Sequence, residues 1–229
     1  MEENIVIVSA ASSNHFKSVM QLLKSIPPQI KVIFYDIGLT TDERRCLQAT
    51  FPNVSVKIFN FEKYPIHVHL SSQDAGAYAW KPIIIDEVYN SLENTHVLLW
   101  CDAGNIIYND IHQCIEVIKS NKVYSATSLG TISKWTHPTS IHNLQIPSEY
   151  LSYNMRNAAF VGLLCNDETV KSFVNEWKTL SLNKDIILPV GANTWNHRHD
   201  QSILTYLYYH YNIPNVDHYI GYSVHNDID

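Results

Sequence analysis

The sequence predicts an α/β fold in which a mainly parallel sheet is covered by helices on both sides, a three-layer sandwich. Two observations predict it. Short, unbroken apolar runs recur along the chain, the form a strand takes when both of its faces are buried, and segments with apolar residues at helical spacing fall between them, so that strand and helix alternate. A third observation is compositional: 45% of the 229 residues are apolar and 17% charged, a balance that supports a sizeable core and argues against disorder.

The elements follow in order. Ile5-Val6-Ile7-Val8-Ser9 reads as the first buried strand. Ser12, Ser13 and Asn14 then offer cap chemistry to a helix carrying Phe16, Val19, Met20, Leu22, Leu23 and Ile26, which Pro27-Pro28 ends. Residues 31–35 give a second strand, residues 44–50 a helix capped by Thr41-Asp42-Glu43, and residues 54–59 a third strand. Pro82 suits a first helical turn, so residues 82–89 read as a helix despite Ile83-Ile84-Ile85. Residues 96–101 form a buried strand that stops at Asp102-Ala103-Gly104, and residues 111–119 a helix, with a short strand at 123–126. No period is sustained over residues 128–154, an aromatic-rich stretch long enough to suggest function. Residues 158–165 are a further strand, and residues 168–180 and 201–211 are helices. No repeat or linker divides the chain, so residues 1–229 are expected to form one domain.

Charge and targeting narrow the function. Sixteen basic against twenty-two acidic residues leave a formal charge of -6, which excludes a general nucleic-acid-binding surface and makes any phosphate site local. Met1-Glu2-Glu3-Asn4 lacks a signal's basic region and no apolar run is long enough to span a membrane, so a cytoplasmic protein, microbial or viral, or a domain cut from a larger one is expected. Cys46, Cys101, Cys114 and Cys165 show no C-x-x-C pairing and read as free thiols in a reducing compartment.

In open α/β sheets ligands bind beyond the carboxyl ends of the strands. The residues there are Ser9-Ala10-Ala11-Ser12, small enough to let a flat ring approach the backbone, then Asp36, then Asp102. Asp36 taken alone reads as a turn or cap. A carboxylate fixed directly after a buried strand, as Asp102 is, suits a hard divalent cation, magnesium or manganese, that also accepts phosphate oxygens, although a turn role competes. Zinc is a rival because twelve histidines are present, yet His197-Arg198-His199 completes no recognised zinc spacing. Most histidines therefore read as surface or supporting residues, and Asp200 as an N-cap whether or not it is also catalytic.

In this order the motifs resemble the GT-A fold nucleotide-diphospho-sugar transferases, and most of all the glycogenin-like family 8 glycosyltransferases. Residues 5–16 are similar to that family's opening strand and nucleotide-binding turn. Val97-Leu98-Leu99-Trp100-Cys101-Asp102-Ala103-Gly104 is similar to the strand ending in its D-x-D metal motif. Asn157-Ala158-Ala159-Phe160-Val161-Gly162 resembles the strand lining the donor sugar, His199-Asp200-Gln201-Ser202-Ile203-Leu204 the D-Q-x-x-L segment, and His218-Tyr219-Ile220-Gly221 the H-x-x-G segment whose histidine anchors the metal.

The resemblance implies a metal-dependent transferase moving a sugar from a nucleotide-diphosphate donor, a uridine type, to a glycan or glycoconjugate hydroxyl. It places Asp102, Ala103 and Gly104 at the metal and diphosphate, with His218 or His225 as the second anchor of Mn2+ or Mg2+. Two departures stand out. Gly104 replaces the second Asp, and no lysine follows the H-x-x-G segment, so Lys81, at a helix start, is the candidate phosphate cation, against a plain solvated lysine. Asp200 is the candidate beside the reacting sugar carbon, with Gln201 positioning the sugar. The family implies retention of configuration; Asp200 as a base implies inversion. Trp135 and His137, with Tyr150 and Tyr153, would build the acceptor side, aromatic faces stacking on sugar rings or else filling core. Arg156 and Asn157 would contact donor phosphate or sugar. Two other classes remain: a non-catalytic nucleotide-sugar or glycan-binding module, suggested by the missing second Asp, and a histidine-based metal hydrolase.

Overall fold

A computed structural model describes residues 4–93 and 96–229. Met1-Glu2-Glu3, used above to argue against a signal, lie outside the described residues.

Among the described residues there are ten strands: β1 (Ile5–Ser12), β2 (Lys31–Gly38), β3 (Val54–Ile58), β4 (Val97–Cys101), β5 (Ile106–Ile107), β6 (Val123–Tyr124), β7 (Thr127–Thr131), β8 (Asn154–Arg156), β9 (Phe160–Leu164) and β10 (Tyr222–Ser223). Six of them form the central sheet in the order β3-β2-β1-β4-β9-β6, while β10 pairs with β5 and β7 with β8. The longer helices are α1 (Phe16–Ser25), α2 (Thr41–Thr50), α3 (Trp80–Ser91), α4 (Ile111–Asn121), α5 (Glu168–Ser181) and α6 (Asp200–His210). The α/β sandwich read from the sequence is therefore the observed architecture.

The two helical layers follow from the pleat. Ile5 and Ile7 of β1 and Leu99 of β4 pack with α1, α2 and α4, whereas Val6, Val8 and Ala10, with Leu98 and Trp100, pack with α3, α5 and α6. Local chemistry sets the helix starts. Thr40 and Glu43 form a reciprocal capping box on α2, and the Asp167 carboxylate accepts from Thr169 N and Val170 N at the start of α5. Asp200 does not cap α6 as expected. His199 occupies the cap position, at a φ of 45°, and Asp200 is the first helical residue.

β9 runs antiparallel to both β4 and β6. The chain leaves β6 at the sheet's carboxyl edge, crosses β7, short helical turns and β8, and re-enters from that same edge. This excursion fills the stretch that lacked a sequence period, and it overhangs the carboxyl ends of β1 and β4. The four cysteines are free thiols, three of them buried. Among the described residues no helix is long and apolar enough to cross a membrane.

Candidate active site

Chain connections diverge at β1, which has β2 on one side and β4 on the other, and such a switch point opens a crevice at the carboxyl ends of the strands. A cleft of about 650 Å³ lies there, lined by Ala10, Ala11 and Ser12 after β1, Asp102, Ala103 and Gly104 after β4, and Asn157 to Ala159 before β9. Lys81, Trp135, Asp200, Gln201 and His225 complete its walls.

Lys81 is the centre of this arrangement. It sits on the first turn of α3 and is 4% exposed, so it is not the solvated lysine that the sequence also allowed. Its Nζ lies 3.0 Å from Asp102 Oδ1, 3.2 Å from Asp102 Oδ2 and 3.2 Å from Asp200 Oδ2. It also donates to Ala158 O at 3.2 Å and stands over the Trp100 ring, 5.7 Å from its centroid. Burial by itself would drive the ammonium toward neutrality, but Asp102 and Asp200 outweigh it and hold its pKa above the ordinary lysine value.

The two carboxylates differ. Asp102 is about a third exposed, with a side-chain accessibility of 37%; Trp100 Nε1 donates to its Oδ1 at 2.7 Å, and its backbone N is tied to Ala159 O at 2.8 Å. Asp200 is buried, and its Oδ2 has the ionic contact to Lys81 but no aligned hydrogen-bond donor. Burial raises its pKa above the usual aspartate value, Lys81 opposing the rise and Asp102 adding to it. The result is one buried cation shared by a solvated and a desolvated carboxylate. An anion entering the cleft would compete for the cation, and the desolvated acid is poised to take a proton.

His199 supports Asp200. Its Nδ1 is 3.0 Å from Ile187 O and its Nε2 is 3.1 Å from Asp74 Oδ2, so both ring nitrogens are held and the strained residue before Asp200 is fixed. Asp74 itself stands in a turn of residues 74–78 that all have positive φ, from 49° at Asp74 to 73° at Gly76, a left-handed turn that L-residues resist. Trp80 Nε1 donates to Ala75 O at 3.0 Å and fastens that turn to the start of α3. His197 and His199 are fully buried rather than at the surface, their rings 5.2 Å apart. Burial first, and the neighbouring His199 next, push the His197 pKa down to about 3, so that ring is neutral.

Several expected site residues lie elsewhere. Asp36 is fully engaged, accepting from Gly38 N and Leu39 N at 2.8 and 2.7 Å and pairing with Arg44 Nε at 2.6 Å, so it shapes the turn after β2 and is not on the cleft lining. Ser9 is buried within β1, short of the cleft. Arg156 is buried and spans the β7–β8 region, donating to Thr127 Oγ1 at 2.8 Å, to Val216 O at 2.9 Å and to Ser125 O, with Tyr208 beneath its guanidinium. It is an internal strut, away from the cleft lining. His137 is outside the cleft lining and caps a short helix by accepting from Thr139 N. His218 is exposed and away from the lining, whereas His225 is on it. Tyr150 and Tyr153 stack on each other and meet Tyr209 of α6 at a tilt, away from the cleft wall. Trp135 remains on the wall, with the Arg198 guanidinium 4.1 Å above its ring.

Comparison with solved structures places this geometry. The bifunctional glycosyltransferase WbbM aligns with 90% of this chain at 10% identity and a TM-score of 0.58. The galactosyltransferase LgtC, solved with donor and acceptor sugar analogs, aligns with 88% at 15% identity and a TM-score of 0.56. The chain has the GT-A fold. Mouse xyloside xylosyltransferase 1 shares this GT-A architecture over 94% of the chain, with 11% identity and a TM-score of 0.51. The chain spans 38% of WbbM, 70% of LgtC and 84% of the mouse enzyme. Residues 1–86, from β1 into α3, match the family described as "Protein of unknown function (DUF1647)". No curated protein matches the chain.

Asp227, His15, Asp74 and Asn105 were missed by sequence reasoning. Asp227, His15 and Asn105 line the cleft, and Asp74 braces His199. For Asp227 a signal existed: Gly104 left a carboxylate position vacant, and the tail is acidic.

Proposed function

We propose that this protein is a glycosyltransferase that moves a sugar from a nucleoside-diphosphate donor, of uridine type, to a hydroxyl of a glycan or glycoconjugate. The observation that carries the reading is the buried Lys81 held between Asp102 and Asp200 at the GT-A switch point. Fold likeness alone does not assign an activity. A desolvated acid beside a buried cation, at the mouth of β1 and β4, matches what diphosphate departure and sugar transfer require.

The small residues Ala10 and Ala11 let the base lie against the end of β1. Lys81 faces the diphosphate and offsets the charge that develops as the bond from the sugar carbon to the diphosphate oxygen breaks. Asp200 faces the reacting carbon and receives the acceptor hydroxyl's proton as the new oxygen–carbon bond forms, its raised pKa suiting that task. Gln201, next on α6 and on the same wall, orients the sugar. Trp135 offers an aromatic face to an acceptor ring.

A divalent cation, Mn2+ or Mg2+, is implied by the fold family, and two residues of the cleft wall carry donor atoms of the kind it takes. Asp102 and His225 offer a carboxylate and an imidazole on the cleft wall, while the room over Gly104 is taken by the Asp227 carboxylate. When bound there, such a cation would neutralise diphosphate oxygens alongside Lys81.

The test is release of nucleoside diphosphate from a panel of sugar nucleotides, with and without Mn2+ and with glycan acceptors supplied. Turnover of one donor, lost in Asp200→Asn with donor binding kept, is the expected result. Binding without turnover under any acceptor would instead identify a nucleotide-sugar-binding module, and no binding would remove both readings.

A further inference from the structure

Trp135, in the excursion between β6 and β9, and Arg198, just before α6, meet on the cleft wall. Their backbones are locked to the helix that carries Asp200. Arg198 N donates to Trp135 O at 2.9 Å and to Ser202 Oγ at 3.2 Å, and that hydroxyl, buried on the first turn of α6, itself donates to Trp135 O at 2.9 Å. The indole is seated as firmly. A Cβ on residue 130 would stand 2.6 Å from Trp135 Cδ1 and closer still to its Nε1, so the ring edge takes the space that Gly130, at a φ of 89°, leaves open. The Arg198 guanidinium lies 4.1 Å from the centroid of that ring, and Lys134 Nζ reaches over the same ring at 4.8 Å.

Charge singles out this pair. Of the lysines and arginines on the cleft lining, Lys81 is matched by Asp102 and Asp200, whereas Arg198 pairs with no carboxylate among the described residues and its guanidinium donates to none of their polar groups. Lys134, exposed at the rim, likewise has no acidic partner among them, in a chain whose formal charge is -6. Stacking on an indole holds a guanidinium by its face and leaves its in-plane N–H groups free, the fork that grips a carboxylate, sulfate or phosphate through parallel hydrogen bonds. Half-buried and already oriented, that fork loses little freedom on closing around an anion. Asp200 and Gln201 follow it on the same wall.

We propose that this wall selects an acceptor sugar that itself carries an oxyanion, a carboxylate, sulfate or phosphate, with Arg198 gripping the oxyanion, Lys134 adding charge from the rim and Trp135 holding the guanidinium in place. The assignment rests on the transferase reading above and adds the acceptor's charge to it. The donor diphosphate has its own cation in Lys81, at the ends of β1 and β4, whereas Arg198 stands with Trp135 on the excursion side. Asp102, Asp200 and Asp227 all line the cleft and repel an anionic sugar, and two unmatched cations on the acceptor wall offset that repulsion where the sugar has to sit.

Matched pairs of sugars test this. Binding of a glucuronide against the matching glucoside, and of sulfated and phosphorylated galactose against galactose itself, is followed by saturation-transfer NMR with uridine diphosphate present. Wild type, Arg198→Gln, Arg198→Lys and Lys134→Gln are compared, with unfolding temperature and uridine diphosphate affinity measured alongside. Wild type is expected to bind at least one charged sugar about tenfold or more tightly than its neutral match, the strength of one charge-assisted contact, and the pair that shows it names the oxyanion. The preference is expected to vanish in Arg198→Gln, to be kept only in part by Arg198→Lys, which has the charge without the fork, and to weaken in Lys134→Gln, an exposed position. It should also shrink as salt is raised from about 50 to about 500 mM. Equal binding within every pair, or a preference that survives in a folded Arg198→Gln, overturns the assignment while leaving the transferase reading in place. Should Arg198→Gln not fold, a preference unmoved by both Lys134→Gln and salt overturns it. Uridine diphosphate bound more weakly by Arg198→Gln with the sugar preference kept also overturns it, showing the cation to serve the donor. Failure of wild type to bind uridine diphosphate at all removes the transferase reading and the assignment together.

Discussion

Replacing Lys81 by methionine keeps the length and apolar stem of the side chain and removes the charge shared by Asp102 and Asp200. Asp102 is partly solvated and keeps water; Asp200 is 3% exposed and is left as a buried, uncompensated carboxylate. Breaking a buried ion pair from one side costs about 3–5 kcal/mol. For a chain of this size that corresponds to a fall in unfolding temperature of roughly 6–20 °C at pH 8. The pH dependence follows from the direction of the Asp200 shift. Its folded pKa is already raised, and loss of Lys81 raises it further, so in the variant the folded state binds more protons than the unfolded state above the ordinary aspartate range. Stability of the variant therefore rises as pH falls through that raised pKa, by at most about 1.4 kcal/mol per pH unit. Urea unfolding at pH 8 and pH 5 reads both effects, and Lys81→Met/Asp200→Asn, which removes the stranded charge, should recover most of the loss at pH 8. A loss at pH 8 below about 1 kcal/mol, or one equally large at pH 5, would refute the reasoning that Lys81 neutralises a buried acid.

Other expectations follow from the same geometry. Asp200→Asn keeps nucleotide binding and lowers transfer by roughly 10²–10⁴-fold, measured as turnover under saturating donor. Arg156→Met destabilises the fold by about 3 kcal/mol in urea titration while nucleotide affinity measured by calorimetry stays unchanged, since the guanidinium holds four backbone and side-chain partners away from the cleft lining. His197 stays neutral down to about pH 3 when folded but protonates near its ordinary value when unfolded, so stability above pH 6.5 is lost as pH falls from there toward 3. A His197→Gln variant should show a shallower acid loss, and an unchanged slope between pH 6 and pH 4 would contradict the burial argument.

The strands were legible because buried parallel strands leave apolar runs such as Ile5-Val6-Ile7-Val8, and the sheet edge followed from where those runs stop. That placed Asp102 correctly at the end of β4 and Lys81 on the first turn of α3. Direction and long-range pairing were less legible. Nothing in Phe160-Val161-Gly162-Leu163-Leu164 marks that strand as antiparallel; its direction follows from an excursion that leaves and re-enters at one edge. Arg156 was misread as a ligand contact because its partners, Val216 and Ser125, become neighbours only in the folded chain, whereas the turn role that Asp36 alone suggested holds. The left-handed turn at residues 74–78 had Gly76 as its sole local signal, and the other residues are held there by Trp80 and His199. The histidines looked like surface residues because sequence spacing carries no information about burial.

The central claim is that the cleft around Lys81, Asp102 and Asp200 holds a nucleoside diphosphate. The Trp100 indole N–H, which donates to Asp102 Oδ1 at 2.7 Å, reports on that cleft from behind its wall. Uridine diphosphate with Mg2+, titrated into protein labelled with 15N at tryptophan, should shift the Trp100 indole signal in a saturable way. A folded protein whose Trp100 signal does not move at any concentration of nucleoside diphosphate would contradict the account.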